Sequence, residues 1–576
     1  MADAKLGWPL AEQVSRLRQR QTAPLILELD LTDGIPEGPA TDPLSAAMSI
    51  RKVRLPDVIA GLRRARGDDR VRALVAKVGG SRIGLARMQE IREAVADFRG
   101  SGKLAVAWAE SFGEFTGGNL PYYLATAFDR IYLQPSGAVG LTGVAVEQLF
   151  LRDALARVGI GFQSAKRYEY KTAADQLTEQ GFTGPAREAA ERLAVSVVEQ
   201  LSAAIAERRG KTPEDARALL DRGPFLADDA LAEGLVDALG YRDEVYADVR
   251  KHAGQDAILQ YLGRYQRAHA LAQRARQLPT NPRDRFVAVI YASGPIRQGR
   301  SSRGPVGSGA MGSDTVSAAL RQARADDRVR AVLLRVNSPG GSAVASDTIW
   351  REVVRIRTAG KPVVVSMGDV AASGGYFISM AADVIVAQPG TLTGSIGVIL
   401  GKPVFADALD RAGIATDSVA EGARATMFAP THPFTQDEWD RINTWLDAIY
   451  RDFTQKVAQG RRMPVDRVHE LARGRVWTGA DAAENGLVDE LGGMTAAAEI
   501  ARLRAGLPAT ARLRVYPRLT PLDQLRPPES SEARPAAAAA LGLSFADGWG
   551  PAWRLAASAG LSPYGPLMLP GNWTIS

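Results

Sequence analysis

The chain has 576 residues, which is enough for three or four domains at about 100–200 residues each. Hydrophobic residues make up 46% and charged residues 23% of the chain, so wholesale disorder, a collagen and a coiled coil are excluded. The absence of cysteine excludes disulfides and a cysteine nucleophile, and the four histidines lack ligand spacing, which argues against a zinc site or a Ser/His/Asp hydrolase. The net charge of +7 comes without a basic run interleaved with aromatic residues, so no nucleic-acid partner is expected.

The N-terminal region, residues 1–21, is predicted to be an extension. Charged residues occur every few positions from Met1 to Arg20, and the apolar core of a signal peptide is missing. The most apolar stretch, Pro362–Ala387, contains Asp369 and Asp383 and therefore indicates a buried strand and helix, not a membrane span. The sequence thus predicts neither a signal peptide nor a transmembrane segment.

The chain contains an internal repeat. Residues 65–74 (ARGDDRVRAL) recur almost unchanged at 323–332, and the motif GLVD at 234–237 recurs at 486–489. A period of about 250 residues indicates two copies of a whole domain, because solenoid repeats are far shorter. The predicted organisation is a first copy (22–240), a helical connector (241–283), a second copy (284–515), and a Pro/Ala-rich linker with a tryptophan-containing tail (516–576).

Each copy is predicted to be α/β. Apolar, β-branched runs that indicate buried strands alternate with helical patterns; the runs are 73–78, 286–292, 331–336 and 362–366. Thr435 and Glu438 have the spacing of a capping box, and the apolar residues that follow recur at helical spacing: Ile442, Leu446, Ile449 and Phe453. The matching helix of the first copy is predicted to bury Leu193, Val197, Leu201 and Ile205.

The first candidate site residue comes from comparing the two copies. Ser373 lies between an apolar strand and a predicted helix at 377–382, and the glycines after it allow a tight turn. A helix N-terminus at this point would supply free N–H groups for an oxyanion. The equivalent residue of the first copy is Asn119, so only the second copy keeps the hydroxyl.

The second candidate is a lysine that only the first copy keeps. Lys171 corresponds to Ala425 in the second copy. Because a serine needs a base and no histidine suits the role, a neutral lysine is the expected substitute, and it must be buried to lose its proton. Neither copy could form a Ser/Lys dyad alone, whereas Ser373 and Lys171 together could.

A third group should orient the amine, and a set of backbone N–H groups should bind the oxyanion. Ser395 is the candidate for the first role, because its equivalent in the first copy is Leu141. Gly374 and the turn that contains Gly340 and Gly341 are the candidates for the second.

Several motifs of the second copy resemble the signal peptide peptidase (protease IV) family in its long, tandem form. The motifs are 337–342 (NSPGGS), 366–376 (SMGDVAASGGY), 392–397 (LTGSIG), 476–481 (VWTGAD) and 486–489 (GLVD), and the likeness covers about residues 22–500. The resemblance implies two tandem Clp-protease/crotonase-like domains built from layered β-β-α repeats. It also implies Ser373 as nucleophile, Lys171 as general base and Ser395 as the residue that holds the lysine.

The resemblance further implies a ring-like homo-oligomer, a tetramer in the long form, and cleaved signal peptides and other unfolded polypeptides as substrates. The interpretation is therefore an ATP-independent serine endopeptidase that acts on extended, mostly apolar peptides through an acyl-enzyme, with no metal or organic cofactor. Two alternatives remain open: a crotonase-like acyl-CoA enzyme, and a catalytically silent, membrane-associated scaffold. The expected location is the cytoplasm, with peripheral contact at the inner face of the cell membrane left open.

Overall fold

The computed structural model describes residues 23–32, 34–38, 53–79, 83–114, 116–276, 284–301, 309–516, 567–568 and 574–575. The predicted N-terminal extension at 1–21 and most of the tail, with Trp549, Trp553 and Tyr564, lie outside these residues. The chain packs into two compact units. The first contains the chain up to Val144 and Val198–Thr280, and the second contains Ala145–Val197 and Asn281–Ile575.

The strands, in chain order, are β1 Leu25–Asp30, β2 Val71–Lys77, β3 Leu104–Ala109, β4 Arg130–Leu133, β5 Ala138–Val139, β6 Val146–Glu147, β7 Gly161–Arg167, β8 Phe225–Leu226, β9 Ala238–Leu239, β10 Ile258–Tyr261, β11 Phe286–Ser293, β12 Ile296–Arg297, β13 Met311–Gly312, β14 Val329–Ser338, β15 Gly340–Gly341, β16 Val363–Ala372, β17 Val384–Ala387, β18 Leu392–Gly394, β19 Val398–Val404, β20 Val476–Thr478, β21 Glu490–Leu491, β22 Leu513–Val515, β23 Leu567–Met568 and β24 Thr574–Ile575.

The helices are α1 Leu55–Arg66, α2 Leu85–Arg99, α3 Asn119–Ala125, α4 Arg152–Arg157, α5 Asp175–Thr178, α6 Gly184–Arg209, α7 Pro213–Arg222, α8 Ala227–Ala232, α9 Arg242–Ala253, α10 Leu262–Arg276, α11 Ser313–Ala325, α12 Ala343–Thr358, α13 Gly374–Phe377, α14 Ala406–Arg411, α15 Gln436–Arg461, α16 Val465–Leu471, α17 Gly479–Glu484 and α18 Met494–Arg504.

The first unit contains a parallel sheet with the strand order β10-β1-β2-β3-β4-β9. Alternate residues of each strand enter two different cores. Leu27 and Leu74 belong to the larger one, and Ile26 and Val75 pack on the other face with Val245 and Val249 of α9. A sheet that is covered on both faces buries nearly every strand residue, which explains its apolar, β-branched strands.

The second unit repeats this arrangement. Its main sheet contains the order β22-β11-β14-β16-β17-β21, all parallel, and the strands β18 and β20 extend it from the far end of β16. Val287 and Leu333 face Ala497 and Ala501 of α18, whereas Ala288 and Leu334 face the larger core. The common strand order is the structural counterpart of the sequence repeat and confirms a fold of two α/β repeats.

Several smaller sheets complete the two units. In the second unit, β13, β12, β15 and β23 form a four-stranded sheet, β7 pairs antiparallel with β19, and β24 pairs antiparallel with β6. In the first unit, β5 pairs antiparallel with β8. The pairing of β7 with β19 joins the segment that carries Lys171 to the second copy.

The predicted elements are mostly confirmed. The four predicted runs coincide with β2, β11, β14 and β16 to within one residue at the ends, except that β2 begins two residues earlier and β14 and β16 extend further at one or both ends. The capping box of α15 is present with both of its hydrogen bonds. The helix predicted at 377–382 is wrong, since α13 begins at Gly374 and ends at Phe377. The strand β16 also continues to Ala372, so the chain passes from strand to helix within one residue, Ser373.

The region predicted as a connector is helical over α9 and α10, and it also contains β10, which pairs with β1. The equivalent elements of the second copy are α18 and β22, the latter pairing with β11. The sequence did not predict this strand, because four residues, ILQY, are too few to show a strand pattern between two charged helices.

Candidate active site

Ser373 forms the sharp turn between β16 and α13. Its backbone has φ +55° and ψ −114°, a left-handed region that residues other than glycine rarely adopt. Two hydrogen bonds hold the turn: the Ser373 N–H donates to the Gly394 carbonyl at 2.8 Å, and its own carbonyl accepts from the Phe377 N–H at 2.8 Å. The side chain is fully buried. A serine on a strained strand-to-helix turn presents its hydroxyl in a fixed direction.

Lys171 follows β7, in a short loop before α5. The antiparallel pairing of β7 with β19 runs from Arg167 opposite Val398 to Gly161 opposite Val404, and it brings this loop to the second copy. The Lys171 side chain is among the largest that the structure buries completely. A segment of the first copy therefore delivers its amine into the second unit.

The amine of Lys171 has three oxygen neighbours. Its Nζ lies 2.8 Å from Ser373 Oγ and 2.9 Å from Ser395 Oγ, and it donates to the Ser395 carbonyl at 3.0 Å. A neutral amine has one lone pair and two N–H groups. The geometry therefore allows the Ser373 hydroxyl to donate to the lone pair while both N–H groups donate to Ser395.

Burial holds the pKa of Lys171 well below its ordinary value. The cause is desolvation, which disfavours the charged ammonium relative to the neutral amine. The consequence is chemical: at a pH where an exposed lysine is protonated, a larger fraction of this amine retains the lone pair that a base requires.

Ser395 lies directly after β18, in a turn with φ +50°. Its N–H donates to the Arg475 carbonyl at 2.7 Å, and its side chain is fully buried. Through its hydroxyl and its carbonyl, it supplies two of the three contacts of the lysine amine. The structure thus brings the three side-chain candidates together.

The glycine candidates lie beside one another. A Cβ placed on Gly374 would come within 3.1 Å of both Gly340 Cα and Gly341 N, and within 2.8 Å of Ser346 Oγ. A side chain would therefore close this space. The Gly340 N–H donates to Ser338 Oγ at 3.2 Å, so Gly341 and Gly374 are the better candidates for donors to an oxyanion.

The strand β15, which contains Gly340 and Gly341, pairs on one side with β12 and on the other with β23. The second pairing is antiparallel, with Gly340 opposite Met568 and Gly341 opposite Leu567. This edge of the site therefore accepts an extended chain through main-chain hydrogen bonds.

The equivalent positions of the first copy have other surroundings. Asn119 is buried at the start of α3, where its amide donates to the Gly143 carbonyl at 2.8 Å and its Oδ1 accepts from the Thr142 N–H at 3.2 Å. Leu141 is part of the core, and Ala425 is exposed. The residues that replaced the reactive groups thus have structural or solvent-exposed positions.

Sequence reasoning missed the turn from Ala472 to Arg475, which contacts both the Lys171 loop and Ser395. The one local signal was Gly474, because glycine is a strong mark of turns. The contacts of the turn, however, are with a loop about 300 positions upstream at Lys171 and with a segment about 80 positions upstream at Ser395, so no local sequence pattern links the turn to either one.

Comparison with protein-family models matches the peptidase family S49 to residues 98–256 and 355–507 of the chain. The first range covers the greater part of the first copy and runs into the region predicted as a connector, and the second lies within the second copy. This match agrees with the family resemblance of the sequence motifs and with the α/β fold of two repeats.

Two curated proteins resemble most of the chain. The chloroplastic serine protease SPPA of Arabidopsis thaliana is 31% identical over 80% of this chain and 67% of its own length. Protease 4 of Salmonella typhi is 32% identical over 84% of this chain and 79% of its own length. Among solved structures, a ClpP1 mutant from Listeria monocytogenes covers 36% of this chain and 91% of its own, with 15% identity and a TM-score of 0.23.

Within the part of the chain that the structure describes, every helix is too short or too polar to cross a membrane.

Proposed function

Because the chain belongs to peptidase family S49 and is a serine protease, we propose that Ser373 is its nucleophile and Lys171 its general base. The observation that carries this proposal is the 2.8 Å distance between Lys171 Nζ and Ser373 Oγ, inside a fully buried site. The copies 22–240 and 284–515 each contribute one member of the pair. The same short distance argues against a silent scaffold, which would leave the two groups apart.

In the first step, the lysine lone pair takes the proton of the Ser373 hydroxyl as the oxygen attacks the carbonyl carbon of the peptide bond. The amine becomes an ammonium, and a C–O bond forms. The ammonium then gives its proton to the leaving nitrogen as the C–N bond breaks, which leaves an acyl-enzyme. A water molecule, deprotonated by the same amine, hydrolyses the ester and restores the serine.

The backbone N–H groups of Gly374 and Gly341 are the proposed donors that stabilise the negative charge on the carbonyl oxygen. Gly374 is the first residue of α13, where the helix leaves N–H groups without an intrahelical partner. Removing one donor from such a site typically costs about 100- to 1,000-fold in kcat. Ser395 holds the amine through its hydroxyl and carbonyl, so that the lone pair faces Ser373.

Extended, mostly apolar peptides, including cleaved signal peptides, are the proposed substrates. The antiparallel pairing of β15 with β23 supports this proposal, because an extended peptide that takes the place of β23 would make the same main-chain pairing at this edge. A folded substrate cannot offer an isolated strand in this way. Selection for unfolded chains would then follow from the main-chain contacts alone.

We further assign the chain to a ring-like homo-oligomer, a tetramer by family resemblance. In the described structure, β7 of the first copy pairs with β19 of the second. The residues equivalent to β7 in the second copy, 415–421, are exposed and belong to no strand. The proposed partner is residues 144–150 of a neighbouring molecule, the equivalents of β19; within them β6 is paired with β24 along one edge, so the new pairing would use the other edge or displace β24. We place this assembly in the cytoplasm, with contact at the inner face of the membrane as a further proposal.

A covalent trap tests the proposed nucleophile. A peptidyl fluorophosphonate should form a P–O bond with Ser373, with fluoride as the leaving group, and peptide mapping should locate the adduct. Ser373→Ala and Lys171→Ala should each reduce cleavage of a quenched-fluorescent apolar peptide by at least about 1,000-fold, while circular dichroism and the elution volume stay unchanged. Substantial cleavage by either folded variant refutes the pair.

A further inference from the structure

The turn from Ala472 to Arg475 connects α16 with β20 and has an unusual backbone. Its two central residues both have positive φ, +59° at Arg473 and +89° at Gly474. The Arg475 N–H donates to the Ala472 carbonyl at 2.9 Å and closes the turn. Two consecutive positive φ angles are typical of a type I′ turn, which favours glycine.

The main chain of Gly474 lies directly against the main chain of Lys171. A Cβ on Gly474 would come within 2.5 Å of Lys171 N and within 2.6 Å of its Cα and Cβ. These are backbone atoms and the root of the side chain, so no rotamer change relieves the contact. Either Lys171 or the turn must move if residue 474 carries a side chain.

Hydrogen bonds attach the loop that carries Lys171 to the same turn. The Arg473 carbonyl accepts from the Tyr170 N–H at 3.2 Å and from the Tyr168 N–H at 3.4 Å. Arg473 also forms an ion pair with Glu169. The residues that immediately precede Lys171 are therefore held by the residue that precedes Gly474.

The other end of the turn holds Ser395. The Arg475 carbonyl accepts from the Ser395 N–H at 2.7 Å, and the Gly474 N–H donates to the Ile396 carbonyl at 2.8 Å. One turn thus fixes both the main chain that delivers the amine and the residue that contacts it.

The Arg475 side chain reinforces the arrangement. Its guanidinium lies 5.0 Å from the ring centre of Tyr170 and 4.6 Å from that of Trp477, and it pairs with Glu188 at 3.0 Å. The Tyr170 hydroxyl donates to the same Glu188 carboxylate at 2.6 Å. Tyr170, the residue before Lys171, therefore contacts both the Arg475 guanidinium and the Glu188 carboxylate.

We propose that the turn Ala472–Arg475 is the positioning element of the active site, and that Gly474 is a positioning residue that sets where the Lys171 amine lies relative to Ser373. Gly474 touches no substrate atom in this role and acts only through Lys171. The inference rests on the proposed function, since it presupposes that Lys171 is the base.

Gly474→Ala in the full-length chain tests the proposal. A displacement of the amine by about 1 Å should lower kcat on the order of 100-fold, with KM changed less than about threefold because the peptide-binding strand β15 is not part of the turn. The matched control is Gly360→Ala. Gly360 also has a positive φ, +78°, but a Cβ there meets nothing within 4 Å, so this variant carries the backbone strain without the clash and should keep kcat.

The pH profile separates positioning from general destabilisation. If the Lys171 amine moves out of its buried position, its desolvation falls, and the acid limb of kcat/KM should shift to higher pH. The charged and titratable groups around the loop include Glu169, Glu188, Arg473, Arg475, the Tyr170 hydroxyl, the Lys166–Asp175 ion pair and His469 beside Tyr168, and Gly474→Ala replaces none of them. A variant that only unfolds more readily keeps the wild-type profile in its folded fraction.

Arg475→Ala provides a second, milder variant in case Gly474→Ala does not fold. It removes the contacts with Tyr170 and Glu188 but keeps the carbonyl that binds Ser395. We expect kcat to fall about 3- to 30-fold with KM nearly constant, and Arg475→Lys to recover part of the loss.

The outcomes distinguish the two proposals. If Lys171→Ala retains activity, the proposed base is wrong. If Lys171→Ala is inactive while Gly474→Ala and Arg475→Ala both match the wild type in kcat and in pH profile, the base stands and the positioning role is overturned.

Discussion

At the scale of single residues, the site depends on one amine in a place where an ammonium is costly. Lys171 is completely buried, and burial holds its pKa well below the ordinary lysine value. The burial that suits Lys171 to its proposed role as base also destabilises the fold, because the unfolded chain gains a proton there. Two predictions follow from this balance, one for rate and one for stability.

The rate should depend on pH through the neutral amine. Below the lowered pKa, kcat/KM should rise about tenfold per pH unit as the fraction of neutral Lys171 grows, and above it the rate should level off. Because the pKa is lowered, the plateau should begin below the ordinary lysine pKa of about 10.4. Initial rates on an apolar peptide from pH 5 to about 10 measure the profile. A flat profile contradicts amine general-base catalysis.

The stability should depend on pH in the same direction. Between the lowered folded pKa and the ordinary unfolded pKa, the unfolded chain binds more protons at Lys171, so stability falls as pH falls, by at most about 1.4 kcal/mol per pH unit. The Lys171→Met variant has no titratable group at this position, so its stability does not change with pH for this reason. The free energy of unfolding of the variant minus that of the wild type should therefore grow as pH falls through this window. Denaturant titrations at several pH values measure it, and a difference independent of pH counts against a buried neutral amine.

The residue types of the site could be predicted from the sequence because each reactive group survives in only one copy. Ser373 and Lys171 stand opposite Asn119 and Ala425 in the repeat. The role of Gly474 could not be predicted in this way. Its importance lies in a main-chain approach to Lys171, and a glycine in the sequence does not reveal which distant backbone it must admit.

At the scale of elements, local signals predicted helices and strands better than their ends. The capping box of α15 was readable because it is local: Thr435 Oγ1 accepts from the Glu438 N–H at 3.3 Å, and Glu438 Oε2 accepts from the Thr435 N–H at 2.9 Å. The start of α13 could not be predicted from the sequence, because the Ser373 turn depends on a hydrogen bond to Gly394, which lies in another strand. Tertiary contacts of this kind override local propensity.

The capping box of α15 leads to a prediction about stability alone. Thr435→Ala removes the side-chain acceptor of the cap and should lower the free energy of unfolding by about 1 kcal/mol, with kcat unchanged because Thr435 makes no contact with the lysine amine. Thr444→Ala, at an exposed position within the same helix, is the matched control and should cost less than about 0.5 kcal/mol. Equal losses in the two variants would contradict the role of the cap.

At the scale of the whole molecule, the repeat predicted two similar folds, but it did not predict that a segment of the first copy packs within the second compact unit. The strand order is the same in both main sheets. The second compact unit nevertheless contains residues 145–197 of the first copy, because β7 finds its partner in β19. Sequence similarity records the origin of a segment, whereas packing decides which core it joins.

The proposed assembly gives a prediction at this scale. If residues 415–421 pair with a neighbouring molecule, Val419→Asp should place a charge in the interface and shift the oligomer towards the monomer by at least about tenfold in dissociation constant. Val465→Asp is the control, since Val465 is also exposed but lies at the start of α16. Light scattering across a dilution series measures the mass. A Val419→Asp oligomer as stable as the wild type refutes this interface.

The separation of Lys171 from Ser373 by 202 positions also bears on the order in which a ribosome builds the chain. The amine emerges early, and its partner hydroxyl follows only when most of the polypeptide has been made. During that interval the nascent protein lacks one member of the proposed catalytic pair. On the proposed mechanism, proteolytic competence therefore arrives late in synthesis, as a property of connectivity.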